Sequence, residues 1–273
     1  MVFVVDLKSL ELQYFCNGYD VPYNIKNGGE LIIKPILVKD YPFYEISKNV
    51  LEIQKNEMND INIIKMSYLE FIFNLIQTDM GKEYAGYLIN ICRLCFGYEN
   101  IASGINNNKP CLYLCDDEQI VKYIINPKEF DDIIKIILNQ NDANYDNRYV
   151  NPEVRELMAE YYKVRHNDIR TPNLEEKKAY VIGKTGMNIN QLNDMSYRLF
   201  DLIYNSCVNS EIYFAQKMVQ CSYKYEVKED VKHPLFEKKK DPYAEIFEDT
   251  GVLSSKGITG AERLNDLNFK QNI

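Results

Sequence analysis

The sequence predicts a mainly α fold with small β elements: an α+β arrangement with a helical body, short N-terminal strands and a small central strand set. Three observations carry that expectation. Capped helix starts recur: Asn126-Pro127-Lys128-Glu129, Asn151-Pro152 and Asn173-Leu174-Glu175-Glu176 each set a side-chain oxygen ahead of the free N–H groups of a first turn. Short β-patterned runs bounded by turn residues occur at the N-terminus and around residues 101–125. The composition, 46% hydrophobic and 26% charged over 273 residues, supplies a globular core.

Residues 1–39 read as a β-rich segment. VFVVDL, ELQYFC and ELIIKPILV are separated by turn signals at Asn17-Gly18 and Asn27-Gly28-Gly29. From Asp40 the period changes. Asp40 is placed to cap a helix through YPFYEISKNVLEIQ, where Phe43, Ile46, Val50 and Ile53 recur at helical spacing. KMSYLEF and DMSYRLF open two helices in the same words, with Ser67 and Ser196 as N-caps. Met66 with Phe71 and Met195 with Phe200 then form the hydrophobic-staple pairs. The similarity ends within a turn or two, which marks convergent helix starts rather than a duplicated domain.

Between these two starts, GKEYAGYLINICRLCFG reads as a buried helix. IASGI, PCLYLC and EQIVKYII read as a small strand set with a turn at Asn106-Asn107-Asn108. FDDIIKIILNQ, EVRELMAEYYKV and LEEKKAYVIGK follow as helices, and a last long helix runs from Ser196 to about Tyr223. The organisation is therefore a β-rich segment over 1–39, a helical region with the inserted strand set over 40–140, and a second helical region over 141–225. A charged tail over 226–273, weakly periodic and Gly- and Ser-bearing, reads as mostly unstructured on its own.

Charge and composition restrict the function classes. At a net charge of −8 and a pI near 5.0 the surface repels phosphate backbones on average, so no nucleic-acid partner is expected. No apolar run approaches the roughly 18 residues of a membrane span, and MVFVVDLKSL has no basic leader, so neither a membrane nor a cleaved signal is expected. Seven cysteines without a secretory signal read as reduced thiols.

AYVIGKTGMN contains Gly-Lys-Thr, the end of a phosphate-binding loop. The first glycine of that motif is replaced by Lys178, and helix formers stand where its strand would be. Gly183 and Gly186 are instead expected to end a helix, where residues with positive φ are favoured. Asn188-Ile189-Asn190-Gln191 then starts a short new one. The helix–turn–helix rhythm of KKAYVIGKTGMNINQLNDM offers no Arg or Lys on INQLNDM to hold phosphates.

The spacing with the most chemistry in it is DANYDNRYVNPE. Asp142, Asn144, Asp146 and Glu153 fall at the first, third, fifth and twelfth places of a calcium-binding EF-hand loop, with the Arg148 carbonyl at the seventh. Asn147 stands where that loop needs Gly, and Val150 offers no side-chain oxygen at the ninth place. The bland account is a polar loop that ends in an Asn-Pro cap. Cys92-x-x-Cys95 and Cys111-x-x-x-Cys115 suggest zinc, but the second pair has one residue too many. ICRLC also lies in an apolar helix, where cysteine acts as a small hydrophobe. His166 and His233 have no Ser or Cys partner in a recognisable elbow. Asp116-Asp117 and Asp131-Asp132 read as turn and first-turn residues. No cofactor is expected and no reaction is implied.

FDDIIKIILNQND, NPEVRELMAEYYK, NLEEKKAYVIGKTGMNINQLNDMSYRLFDLIY and HPLFEKKKDPYAEIF, in that order, resemble proteins from tail-assembly gene clusters of bacteriophages of low-GC Gram-positive bacteria. The resemblance spans roughly Ile36 to Phe247. It implies a non-enzymatic tail or baseplate assembly chaperone or minor structural component whose partners are other tail or baseplate proteins. Its place would be the host cytoplasm during assembly or the tail of the virion. The alternative is a calcium-binding module built on 142–153. In the tail, Phe236, Tyr243, Ile246 and Phe247 stand among charges as anchors for a partner groove, in a segment expected to order on binding.

Overall fold

The computed structural model describes residues 6–27, 29–55, 60–106, 109–145, 157, 160 and 171–222. Among them the chain forms helices α1 (Leu7–Gln13), α2 (Tyr41–Ser47), α3 (Asn49–Glu52), α4 (Ile61–Lys65), α5 (Tyr68–Ile76), α6 (Lys82–Phe96) and α7 (Pro127–Asn141). Helices α8 (Leu174–Thr185), α9 (Ile189–Asn193) and α10 (Tyr197–Gln220) follow. Strands β1 (Val21–Ile25) and β2 (Gly29–Ile33) pair antiparallel. Strands β3 (Asn100–Asn106), β4 (Lys109–Cys115) and β5 (Val121–Ile125) form an antiparallel meander with β4 in the centre. The fold is the expected α+β mixture, mainly helical with two small sheets. Two compact units divide it, Met1–Val208 and Asn209–Ile273.

Helix α7 is the centre of the first unit. Asn126 caps it by accepting from the N–H groups of Lys128 and Glu129, and the Glu129 carboxylate reaches back to the Asn126 N–H at 3.0 Å. Pro127 fits its first turn, where no N–H partner is needed. Phe130, Ile133, Ile136, Ile137 and Leu138 are all buried, so tertiary burial overrides the weak helix propensity of its isoleucines. The same main cluster takes in Val21, Ile25, Leu31 and Ile33 of the hairpin and Leu69 and Ile72 of α5. It extends to Ile91 of α6 and to Leu112 and Leu114 of β4. Each such side chain contributes roughly 1.5–3 kcal/mol of burial. Val38, Val181, Leu192 and Phe200 form a second, smaller cluster.

Buried polar side chains on α7 complete the N-terminal backbone. Glu129 accepts the Lys26 N–H at 3.0 Å, and Asn141 accepts the Ile36 N–H at 2.8 Å. The Gln140 amide donates to the carbonyl of Tyr19 at 3.1 Å and, more weakly, to that of Ile33 at 3.4 Å. Arg198 of α10 is 5% exposed; its guanidinium donates to the Asn139 carbonyl and to the Glu11 carboxylate of α1. It also lies 5.7 Å from the centre of the Phe15 ring.

Several expectations hold in detail. Ser67 caps α5 by accepting from Glu70 N–H, and Met66 and Phe71 both join the core. Asn173 and Asn188 form capping boxes with Glu176 and Gln191. Gly186 closes α8 at φ 72°, a left-handed position where glycine costs no strain.

Others need correction. ELQYFC is not a strand: Asp6 caps α1, which runs through Gln13 into a 3-10 turn over Phe15–Asn17. The first strand among the described residues is VPYNI, hidden in the sequence by Pro22, which a two-stranded ribbon tolerates because each strand has an open edge. ELIIKPILV is strand only to Ile33. The helix after Asp40 breaks at Lys48, and Asp40 makes no side-chain cap bond. Its buried face is Tyr44, Ser47, Val50 and Leu51, while Phe43 and Ile46 are 56% and 57% exposed. Gly183 is helical, in the last turn of α8, and only Gly186 takes the positive φ.

Ser196 does not cap α10. Its buried hydroxyl has no partner among the described residues, and the Tyr197 N–H donates to the Ile36 carbonyl at 2.7 Å. The backbone of Gly18, at φ 66°, passes so near that a Cβ there would stand 2.8 Å from the Ser196 Oγ. The start of α10 is thus held by segment 36–38 through the Leu37–Ser196 bridge, not by its own cap. The VFVVDL residues before Asp6, the Asn151-Pro152 helix start, both histidines and the tail after residue 222 lie outside the described residues.

Arg198→Met should lower the unfolding free energy by roughly 2 kcal/mol, because it strands a buried carbonyl while the half-exposed Glu11 resolvates. Urea denaturation measures this directly, and Lys39→Met, at an exposed pair with Asp194, should leave the midpoint unchanged.

Candidate functional site

One cavity of about 120 Å³ opens where α2, the end of α7 and the start of α10 meet. Tyr41 and Tyr44 come from α2, Lys48 and Glu52 from the segment behind it, and Asn141, Asp142 and Tyr145 from the end of α7. Tyr197, Arg198 and Asp201 come from α10. Local structure explains these placements. Tyr41 and Tyr197 are each the first residue of their helix, and their rings stack at 3.3 Å between centres and 8° between planes. Helix α7 stops because Asp142 turns extended, at φ −130° and ψ 115°. Its carboxylate then closes a local turn by accepting the Asn144 N–H at 2.7 Å.

The electrostatics are those of a tyrosine-walled pocket with acidic edges. Burial keeps the phenols neutral: the Tyr197 hydroxyl is pushed up to about 12, and Tyr41 and Tyr44 are raised further. Burial also raises Glu52, against the pull of Lys48 and with a push from the Asp142 carboxylate. Most of the charges are balanced. Lys48 stands 4.0 Å from Glu52, Lys177 stands 3.6 Å from Asp201, and Arg198 stands 2.5 Å from Glu11. Asp142 has no ion-pair partner among the described residues.

Of the residues singled out from the sequence, the fold brings only Asp142 to this cavity. Asn144 follows in the turn; Asp146, Arg148 and Glu153 of the calcium-loop pattern lie outside the described residues, as do Phe236, Tyr243, Ile246 and Phe247. Among the described residues no group of three or more His, Cys, Asp or Glu side chains is placed to hold a metal. Cys92, Cys95, Cys111 and Cys115 are buried thiols. Asp116 closes a turn by accepting from Glu118 and Ile120 N–H, as expected. Segment 174–185 is helix, so Gly-Lys-Thr belongs to a helix end rather than a phosphate loop.

The tyrosine walls were not read from the sequence. The available signal was Tyr41 and Tyr44 at helical spacing with Ser47, in a chain with 22 tyrosines and no tryptophan. No described helix is long and apolar enough to cross a membrane. No protein-family model, curated protein or solved structure matches the chain.

Burial raises the Cys92 thiol to about 12 and the Cys95 thiol further, so both stay protonated and shielded. In a thiol-labelling time course on native protein, Cys16 and Cys221 should react at once. Cys92 and Cys95 should react only at the rate of unfolding.

Proposed function

We propose that the chain works by binding other proteins, without turnover, as an assembly factor or minor structural component in building a bacteriophage tail or baseplate. The order of segments from residue 130 onward supports this reading. The observation that carries it is the apolar surface on the last turns of α10, where Ile212, Phe214, Met218 and Val219 are 48%, 62%, 75% and 49% exposed. Ile212 and Val219 lie on one flank and Phe214 and Met218 on the other of an arc about half the helix wide, at 100° per residue. These two apolar flanks, with Ala215 and the exposed Glu211 between them, gain free energy when a partner covers them. The charged segment that follows, with Phe236, Tyr243, Ile246 and Phe247, extends the same binding role beyond the helix.

Affinity capture from phage-infected cells, with captured proteins identified by mass spectrometry, tests the reading. Wild-type chain should retain structural proteins encoded with the phage tail, and Phe214→Asp with Met218→Asp should lose them without loss of helix content. A chain truncated after Tyr225 should retain them more weakly. Retention undiminished in both variants, or capture of no tail protein by the wild type, contradicts the proposal.

A further inference from the structure

The tyrosine-walled cavity is independent of the α10 surface and of any assembly role. Its volume, about 120 Å³, holds about four non-hydrogen atoms at roughly 30 Å³ each. The part of a ligand that enters is therefore small, the size of the end of a short alkyl chain with a polar head. The chemistry of the wall decides which head. The guanidinium of Arg198 is already committed to Glu11 and the Asn139 carbonyl, and Lys48 has only a distant Glu52. An anion would meet three carboxylates, Asp142, Glu52 and Asp201, against the Lys48 ammonium and an Arg198 guanidinium whose two outer nitrogens are engaged and whose Nε–H alone lacks a partner among the described residues.

A cation meets the opposite situation. Asp142 has no ion-pair partner among the described residues, and its charge already acts on Glu52 and on the Tyr44 hydroxyl. Asp142, Glu52 and Tyr44 line the same cavity. The rings of Tyr41 and Tyr197 use one face each in their stack, and among the described residues neither carries a protein cation. The described cation–ring contacts lie elsewhere, at Tyr204, Tyr180, Phe15 and Tyr213. Aromatic walls with a nearby carboxylate are what attracts an organic ammonium, through the ring quadrupole and Coulomb attraction together.

We propose that this cavity binds a primary alkylammonium group, held by the Asp142 and Glu52 carboxylates against the rings of Tyr41 and Tyr197. The ammonium is either that of a free small amine or the end of a lysine side chain on another polypeptide. Lys48 is then the resident competitor: its ammonium lies 4.0 Å from the Glu52 carboxylate that the ligand needs.

Calorimetric titration of the full chain tests this with n-propylammonium and with Nα-acetyl-lysine N-methylamide. Nα-acetyl-norleucine N-methylamide and n-propanol serve as neutral controls. Both ammonium probes should bind with dissociation constants of roughly millimolar or below, and the neutral probes at least about tenfold more weakly. Asp142→Asn keeps the acceptor for the Asn144 N–H, so the thermal midpoint should stay unchanged while ammonium affinity falls about tenfold. Lys48→Gln should tighten binding several-fold, a change of sign that a merely structural role for the cavity would not produce. Tighter binding of the capped lysine points to a polypeptide source, and tighter binding of n-propylammonium to a free amine. Equal binding of charged and neutral probes, no binding of either ammonium, or a Lys48→Gln variant that binds no better overturns the proposal.

Discussion

Helix α7 gives the N-terminal backbone hydrogen-bond partners that no strand supplies, and the rest of the first unit depends on that exchange. A two-stranded ribbon such as β1–β2 is marginal alone in water. Here it is docked by side chains set more than a hundred residues away: Glu129 on the Lys26 N–H, Gln140 on the Tyr19 and Ile33 carbonyls, and Asn141 on the Ile36 N–H. Each buried backbone group left without such a partner would cost about 1–3 kcal/mol. The ribbon and the segment after it have therefore one place to go, and the apolar contacts of Val21, Ile25, Leu31 and Ile33 follow from it.

That docking also builds the cavity. With the Ile36 N–H bound to Asn141 and the Ile36 carbonyl taken by the Tyr197 N–H, the end of α7 and the start of α10 are held to the same short stretch of chain. Tyr41, five residues further on, meets Tyr197 in a stack, and Asp142 turns out of α7 beside them. Arg198 fixes the arrangement from below through α1 and the Asn139 carbonyl. Tyrosine walls, the Asp142 carboxylate and the cavity between them thus come from one set of backbone hydrogen bonds.

What could be read from the sequence was local. The caps at Ser67, Asn126, Asn173 and Asn188 need only their own next turn, and each formed as read. The strand set at 100–125 announced itself by alternation and turn residues. Errors arose where a distant partner decides. ELQYFC has an alternating look, but Glu11 serves Arg198, 187 residues away, and the segment is helical. Phe43 and Ile46 have the right period for a buried stripe, yet Tyr44 and Ser47 face the core, because α6 packs on the other side of α2. Ser196 has the same neighbours as Ser67, but it is held in a β-bridge with Leu37, and its hydroxyl takes no first-turn N–H. The cavity was invisible for the same reason: its walls come from residues 41–52, 138–145 and 197–201, and only Asp142 stood in a pattern that attracted notice.

Native-state hydrogen exchange at the Ile36 amide tests the central dependence most directly, since its acceptor is a side chain of α7 and not a neighbouring strand. The account predicts that this amide exchanges only with global unfolding of the unit, at the same free energy as the Ile136 and Leu138 amides within α7. Exchange of Ile36 orders of magnitude faster than those helix amides would show that the N-terminal segment opens without α7, and would contradict the account.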